Sequence, residues 1–394
     1  MKISELLAAA QPLQEQLSAW RRDFHRHPEI GYEEIRTSGI VAAHLASLGL
    51  EVTTNVGRTG VVGVLRGEAP GPTIGLRADM DALPIQDQKT VSYASEVPDT
   101  AHLCGHDAHT AILMGAAQLL AGLGRPKKGN IKFVFQPAEE GLAGAREMIK
   151  DGVLDNPKVD VMAGLHMFPG LDTGTLGVSK GVAFASADSL TIKILGKGGH
   201  AARPHEGVDA IAVAAQVISA LQNIPSRMVD PLEPVVITIG KISGGYMGAA
   251  LAPDVELIGT VRTLSAGVRA QMPAMIEQVV GGVCSSFGAG YELSYGEGYP
   301  IVLNDPGMVD LMTETSEELL GEKVWNYIKP STGGEDFAFY CEKVPGVFFR
   351  LGSGNGEERT RYPLHHPKFD LDETALPYGV AMLSAMALNF LNRN

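Results

Sequence analysis

Apolar residues recur at helical spacing near the start of the chain, at Leu13, Leu17 and Trp20 and again at Val41, Leu45 and Leu48. That spacing predicts mostly helix over residues 12–50. The pattern then changes to short apolar runs rich in β-branched residues, at 61–65, 73–77, 131–135 and 159–165. These read as strands. Helical stretches fall between several of them, at 108–122 and 141–150. Strands alternating with helices predict a doubly wound α/β sheet. From about residue 184 the order is different: a strand at 190–195, a helix at 207–223, strands at 235–242 and 255–263, a helix at 267–287 and a strand at 291–295. That β-α-β-β-α-β order matches a ferredoxin-like α+β unit. The expected organisation is a first domain built from residues 1–183 and 297–394, with residues 184–296 inserted as a second.

Polar residues of one chemical kind gather at the ends of the runs in the first domain. Asp79 and Asp81 follow the run ending at Arg77, Glu139 and Glu140 the run ending at Phe135, and His166 the run ending at Leu165. Ligands of open α/β sheets bind beyond the carboxyl ends of the strands. Cys104 and His106 flank a glycine, so both side chains can face one side of an extended or looped backbone. His365 and His366 add two more imidazoles. Thiolate, imidazole and carboxylate are the donors that hold Zn²⁺, Mn²⁺, Co²⁺ or Ni²⁺.

Each residue has a plainer reading beside the metal one. Cys104 alone is equally a buried cysteine beside a surface histidine; its companions decide for metal. Successive side chains diverge, so one of Glu139 and Glu140 binds metal and the other handles a proton. Acidic residues after Pro137 also suit a helix N-terminus. Asp79 and Asp81 are either turn aspartates or, for Asp81, the group that fixes the tautomer of a ligating histidine. His200 lies in a glycine-rich stretch of the inserted domain. It is a surface residue there, unless domain closure carries it to a substrate carbonyl as an oxyanion donor. Gly177-Val-Ser179-Lys-Gly181 fits the serine-hydrolase pattern, but a β-rich run follows where that pattern needs a helix.

Composition narrows the class. The chain has 394 residues, enough for two domains, and a formal charge of −13, which argues against a nucleic-acid partner. Three cysteines, Cys104, Cys284 and Cys341, make no disulfide framework and fit a reducing compartment. The apolar run at 6–10 is too short for a secretory signal. No stretch is expected to reach the apolar length of a membrane span. The expectation is a cytoplasmic enzyme with no membrane partner.

Several motifs, in order along nearly the whole chain, resemble the aminoacylase-type metallopeptidases of family M20 in their amidohydrolase branch. That branch holds hippurate hydrolases, N-acyl-amino-acid amidohydrolases and plant indoleacetyl-amino-acid hydrolases. The chief carriers are Leu76-Arg-Ala-Asp-Met-Asp-Ala-Leu-Pro84, Cys104-Gly-His-Asp-Ala-His109 and Phe135-Gln-Pro-Ala-Glu-Glu140. Arg21-Arg-Asp-Phe-His25-Arg-His-Pro28-Glu29, Gly198-Gly-His200-Ala-Ala, Gly259-Thr-Val-Arg262-Thr, Gly334-Glu-Asp336-Phe and Leu364-His365-His-Pro367 add to them.

The resemblance implies a catalytic domain with an inserted lid or dimerisation domain, and a homodimer or homotetramer. It implies two divalent ions per subunit, of Mn, Zn, Ni or Co, held by Cys104, His106, Glu140, His166 and His365, with His366 at a variable place. Glu139 falls on the general base and Asp81 keeps its supporting role. His200 falls on the residue that reaches the scissile carbonyl, and Arg262 on the one that holds the substrate carboxylate. The implied reaction is hydrolysis of an N-acyl or N-aroyl amino acid to a carboxylic acid and an amino acid. A dipeptidase of the same chemistry, or a metal-retaining binding protein with weak turnover, is the rival. One position departs from the family: Ala249 stands where an asparagine is usual, thirteen residues before Arg262.

Overall fold

A computed structural model describes residues 1–321 and 323–393. The chain forms two compact units. The first comprises Met1–Ala183, Leu303–Lys329 and Asp336–Asn394, of which Glu322 and Asn394 lie outside the described residues. Its sheet uses β1 (Glu51–Val56), β2 (Gly60–Arg66), β3 (Thr73–Asp79), β4 (Asn130–Gln136), β5 (Val161–Asp172), β6 (Leu176–Val178) and two later strands, Trp325–Tyr327 and Gly346–Gly354. The spatial order is β1, β2, β4, β3, β5, Gly346–Gly354, β6, Trp325–Tyr327. β3 runs parallel to β4 and to β5, and β5 runs parallel to Gly346–Gly354. These central strands are almost wholly buried, which is why apolar residues run through them, with Arg77, Asp79, Lys132 and Gln136 as buried polar exceptions.

Helix His106–Gly122 packs in this unit with Gln14–Arg26 and Leu376–Arg393. The approach is close: a Cβ on Gly115 would lie 2.6 Å from Leu17 and 2.8 Å from Val380. The segment Glu373–Arg393 corrects one expectation, since by length and composition it could cross a membrane. Of its most apolar window, 83% is buried within the protein, so it is a core helix here.

Three other sequence readings are refined. The stretch 12–50 is mostly helical, as expected, and is divided into two helices, Gln14–Arg26 and Ile35–Ser47. The break begins at His27, whose φ of −121° and ψ of 58° reflect the exclusion of a pre-proline residue from the helical region. β5 does not stop at Leu165; its pairing with Gly346–Gly354 carries it to Asp172, so His166 sits inside a strand. Asp79 is the last residue of β3 rather than the loop beyond it.

The second unit is Phe184–Val302 with Pro330–Glu335, and residues 184–296 lie inside it. Strands Ala187–Leu195, Val235–Gly244, Asp254–Thr263 and Gly290–Tyr299 form an antiparallel sheet, with Ala187–Leu195 and Asp254–Thr263 in its middle. Leu190, Ile192, Ile194, Val255 and Leu257 alternate onto one buried face. Val213, Val217 and Leu221 of helix Ala210–Leu221 share its core, with Met272, Ile276 and Val280 of helix Ala266–Phe287. This is the ferredoxin-like α+β arrangement.

Candidate metal centre

Cys104 and His106 are held by the start of helix His106–Gly122. Gly105 caps it with φ 95°, a conformation that suits glycine, and a Cβ there would also press on Met167 at 3.3 Å. The tight turn places the Cys104 Sγ 3.4 Å from the Nε2 of His166 on β5. His166 donates from Nδ1 to its neighbour's carbonyl, Met167 O, at 2.7 Å, which leaves Nε2 with its lone pair. His106 donates from Nδ1 to Asp81 O at 2.9 Å, with Asp81 Oδ1 at 3.2 Å, which leaves its Nε2 facing the other donors. The other Asp81 oxygen, Oδ2, accepts the Glu140 backbone N–H at 2.9 Å. One carboxylate thus orients two of the expected ligands.

Donor atoms converge in two triads that share the thiol. Cys104, His106 and His166 form one, Cys104, Glu140 and His365 the other, each with donor atoms within 4.8 Å of one another. His365 has φ 66° and its N–H is tied to Leu103 O at 2.7 Å, which turns its Nε2 to 3.3 Å from Glu140 Oε1. That oxygen is buried and accepts no hydrogen bond. His366 points elsewhere: it stacks on Tyr362 and accepts the Lys368 N–H at 3.1 Å. His109 has the right chemistry for a ligand but is already occupied. It donates to Asp79 at 2.6 Å and accepts the Met167 N–H at 2.8 Å.

The electrostatics fit a cation at the centre of this set. Burial, then Glu140, Glu139 and Asp79, push the Cys104 thiol well above its ordinary range. Burial opposes protonation of His106, yet Asp79, Asp81 and Glu140 overcome it and push the imidazole up to about 10. Burial holds His166 well below the ordinary histidine value, so its ring is neutral. Without a metal the buried Glu140 Oε1 has no hydrogen-bond donor among the described residues and a thiolate is strongly disfavoured; a divalent ion answers both needs.

Glu139 lies within 4.8 Å of the donors of His106 and Glu140. Its Oε1 accepts the Asp336 N–H at 3.3 Å. The Asp336 carboxylate is fixed by Arg77 Nη2 at 2.9 Å, by Gln136 Nε2 at 2.8 Å and by the Ala145 N–H at 2.9 Å. Sequence reasoning gave Asp336 no role. Its place in a family motif was the available signal, but its partners stand about two hundred positions away.

The two expected substrate residues belong to the second unit. His200 is exposed on the short strand Gly199–His200, in register with Ala250, and its Nδ1 accepts the Ala202 N–H at 3.1 Å. Ala249 contributes its carbonyl to the same loop, accepting the Ala201 N–H at 3.0 Å. Arg262 is half-buried on Asp254–Thr263, donates to Thr260 Oγ1 and to Val261 O, and forms no ion pair among the described residues. Burial lowers its pKa from the ordinary arginine value.

Comparison with known proteins identifies the family. The profile of peptidase family M20/M25/M40 matches residues 75–389. An N-acyl-L-amino acid amidohydrolase of Geobacillus stearothermophilus is 43% identical over 287 residues, 73% of this chain and 77% of that protein. Thermostable carboxypeptidase 2 of Saccharolobus solfataricus is 38% identical over 377 residues, 95% of each chain. Among solved structures, the YXEP protein of Bacillus subtilis, described as a dinuclear metal-binding peptidase of the M20 family, is 36% identical. It superposes with a TM-score of 0.84 over 97% of this chain and 99% of its own. The chain belongs to peptidase family M20/M25/M40 and is a metal-dependent amidohydrolase.

Proposed function

We propose that the enzyme hydrolyses the amide bond of N-acyl or N-aroyl amino acids, releasing a carboxylic acid and an amino acid. The observation that carries this reading is the pair of donor triads sharing Cys104, with the buried carboxylate of Glu139 beside them. Two divalent ions fit that set, one at Cys104, His106 and His166, the other at Cys104, Glu140 and His365. Mn²⁺, Zn²⁺, Ni²⁺ and Co²⁺ all suit thiolate, imidazole and carboxylate donors. When bound, such ions polarise an amide carbonyl and acidify water.

The remaining work falls to side chains. Glu139 takes the proton of the attacking water and delivers it to the departing amine nitrogen. Asp336 holds that carboxylate through its backbone N–H, and Asp81 holds the His106 Nδ1–H, so that Nε2 would be the nitrogen offered to a metal ion. We assign His200 to the carbonyl oxygen, where a donor stabilises the tetrahedral oxyanion. We assign Arg262 to the carboxylate of the amino-acid half, a role that suits a guanidinium with no ion pair among the described residues. The three cysteines are free, and a thiol ligand is best kept in a reducing compartment such as the cytoplasm. A homodimer or homotetramer is part of the same reading; exposed Val236 and Ile242 on the sheet-edge strand Val235–Gly244 support it.

Free amine release from a panel of acyl amino acids and dipeptides, with each metal and with chelator, tests the reading. Turnover of acyl amino acids that chelator abolishes is the expected result. Preference for dipeptides would favour a peptidase, as the carboxypeptidase relative allows. Metal binding with no turnover of any member would leave a binding protein.

A further inference from the structure

Glu34 is a fully buried carboxylate outside the donor set, and both of its oxygens are committed. Oε1 accepts the backbone N–H of Ala138 at 2.8 Å, and Oε2 accepts the Thr59 hydroxyl at 2.6 Å. Ala138 immediately precedes Glu139 and is itself unusual. It is buried, non-glycine, and in the left-handed region at φ 56°, ψ 46°. Such a conformation persists only where its surroundings impose it. The surroundings here are specific. Gly31 lies against it so closely that a Cβ would sit 3.0 Å from Ala138 Cα, and the Gly144 N–H bonds Ala138 O at 3.0 Å.

We propose that Glu34 is a positioning residue for Glu139: it clamps the peptide before the base as Asp81 clamps the peptide after it. The two clamps grip the N–H groups of Ala138 and Glu140, on either side of Glu139. They are also joined to each other. The segment that ends in Glu34 bridges Ile30 to Ala82, and the Ala82 N–H bonds Glu29 O at 2.8 Å. The turn carrying Glu139 is therefore referenced to the turn carrying Asp81 through residues 29–34. This inference rests on Glu139 being the general base.

The acceptor, not the charge, is what the geometry uses. Burial pushes the Glu34 carboxyl up to about 7, so the neutral amide of glutamine resembles a form the residue itself visits. Glu34→Asp keeps the charge but withdraws the carboxylate by one methylene. Glu34→Gln gives up the charge and keeps the acceptor in place. The test compares kcat, KM and bound metal for both variants and for Glu139→Gln, in metal-loaded enzyme on an acyl amino acid. Glu34→Asp is expected to lose about 10–100-fold in kcat, the scale of a reacting group displaced by up to about an ångström. Its KM and metal content should stay near wild type, while Glu34→Gln keeps most of the wild-type kcat.

An unchanged kcat in Glu34→Asp overturns the proposal even if the protein melts earlier, because that is what a purely structural residue would show. Equal losses in Glu34→Asp and Glu34→Gln overturn it as well, since charge would then be the active property. Should Glu34→Asp not fold, Thr59→Val releases Oε2 and is expected to show the same kcat-selective loss in smaller degree; no loss overturns the proposal. A near wild-type Glu139→Gln removes the base assignment itself and this inference with it. A dead Glu139→Gln beside an active Glu34→Asp removes the inference alone.

Discussion

Replacing Asp81 by asparagine isolates the support beneath the metal centre. Both groups that Asp81 serves are donors: the His106 Nδ1–H at 3.2 Å from Oδ1 and the Glu140 N–H at 2.9 Å from Oδ2. An aspartate accepts from both, whereas an asparagine has one acceptor and one NH₂. Placed with its oxygen toward Glu140, the amide turns its NH₂ on the His106 N–H, which still reaches the Asp81 carbonyl at 2.9 Å. Placed the other way, it leaves the Glu140 N–H facing a donor. The first arrangement is the cheaper, and its cost is one compromised contact to a buried ligand, about 1–3 kcal/mol. At 1.4 kcal/mol per tenfold, that is about 10–100-fold in metal affinity, the usual scale for a group that orients a ligating histidine. The assay is competition against a calibrated chelator, followed by turnover at saturating metal. We expect weaker binding and a kcat within a few-fold of wild type once metal is restored. Metal affinity within about twofold of wild type would refute the idea that Asp81 orients these ligands.

Glu139→Gln keeps shape and removes the proton acceptor, so kcat should fall at least about 10²-fold with bound metal unchanged by elemental analysis. Near wild-type turnover would end its assignment as base. His365→Ala should lower bound metal and activity together while His366→Ala does neither, because His365 reaches Glu140 and His366 is stacked on Tyr362; the reverse pattern would reassign the ligand. Glu34 also gives a pH dependence. Its folded pKa, about 7, lies above its ordinary 4.5, so the unfolded chain ionises first and stability falls as pH rises through that window. Glu34→Gln removes the loss. Denaturant unfolding should show the variant gaining on wild type between pH 4.5 and 7, by on the order of 3 kcal/mol. A difference that does not vary with pH would show that Glu34 is not the titrating group.

The donors themselves were legible because the chemistry is written compactly. Cys104 and His106, and Glu139 and Glu140, sit within two residues of each other, and their residue types suit metal far better than they suit a bare core. What kept His109 out of the set was not legible. Only the fold brings Asp79 and the Met167 N–H to its two ring nitrogens. Glu34 and Asp336 were hidden for the same reason: each acts on a backbone or carboxylate more than a hundred positions away. The fold class followed from the alternation of apolar runs, but their ends did not. Hydrophobicity marks where β5 is buried, whereas its partner strand, Gly346–Gly354, decides how far it extends.

The place of that partner strand has a consequence for the newborn chain. Gly346–Gly354 lies between β5 and β6, near the middle of the sheet rather than at its rim. During synthesis β5 and β6 emerge early and must wait, without their common neighbour, while the whole second unit is made. That unit has no residue beyond 335, and its four-stranded sheet and two α-helices are complete by 302. Translation therefore completes the later-encoded body before it completes the earlier one. His365 lies beyond the same late strand, so the ribosome delivers a finished second unit well before it delivers a chain able to close its metal centre.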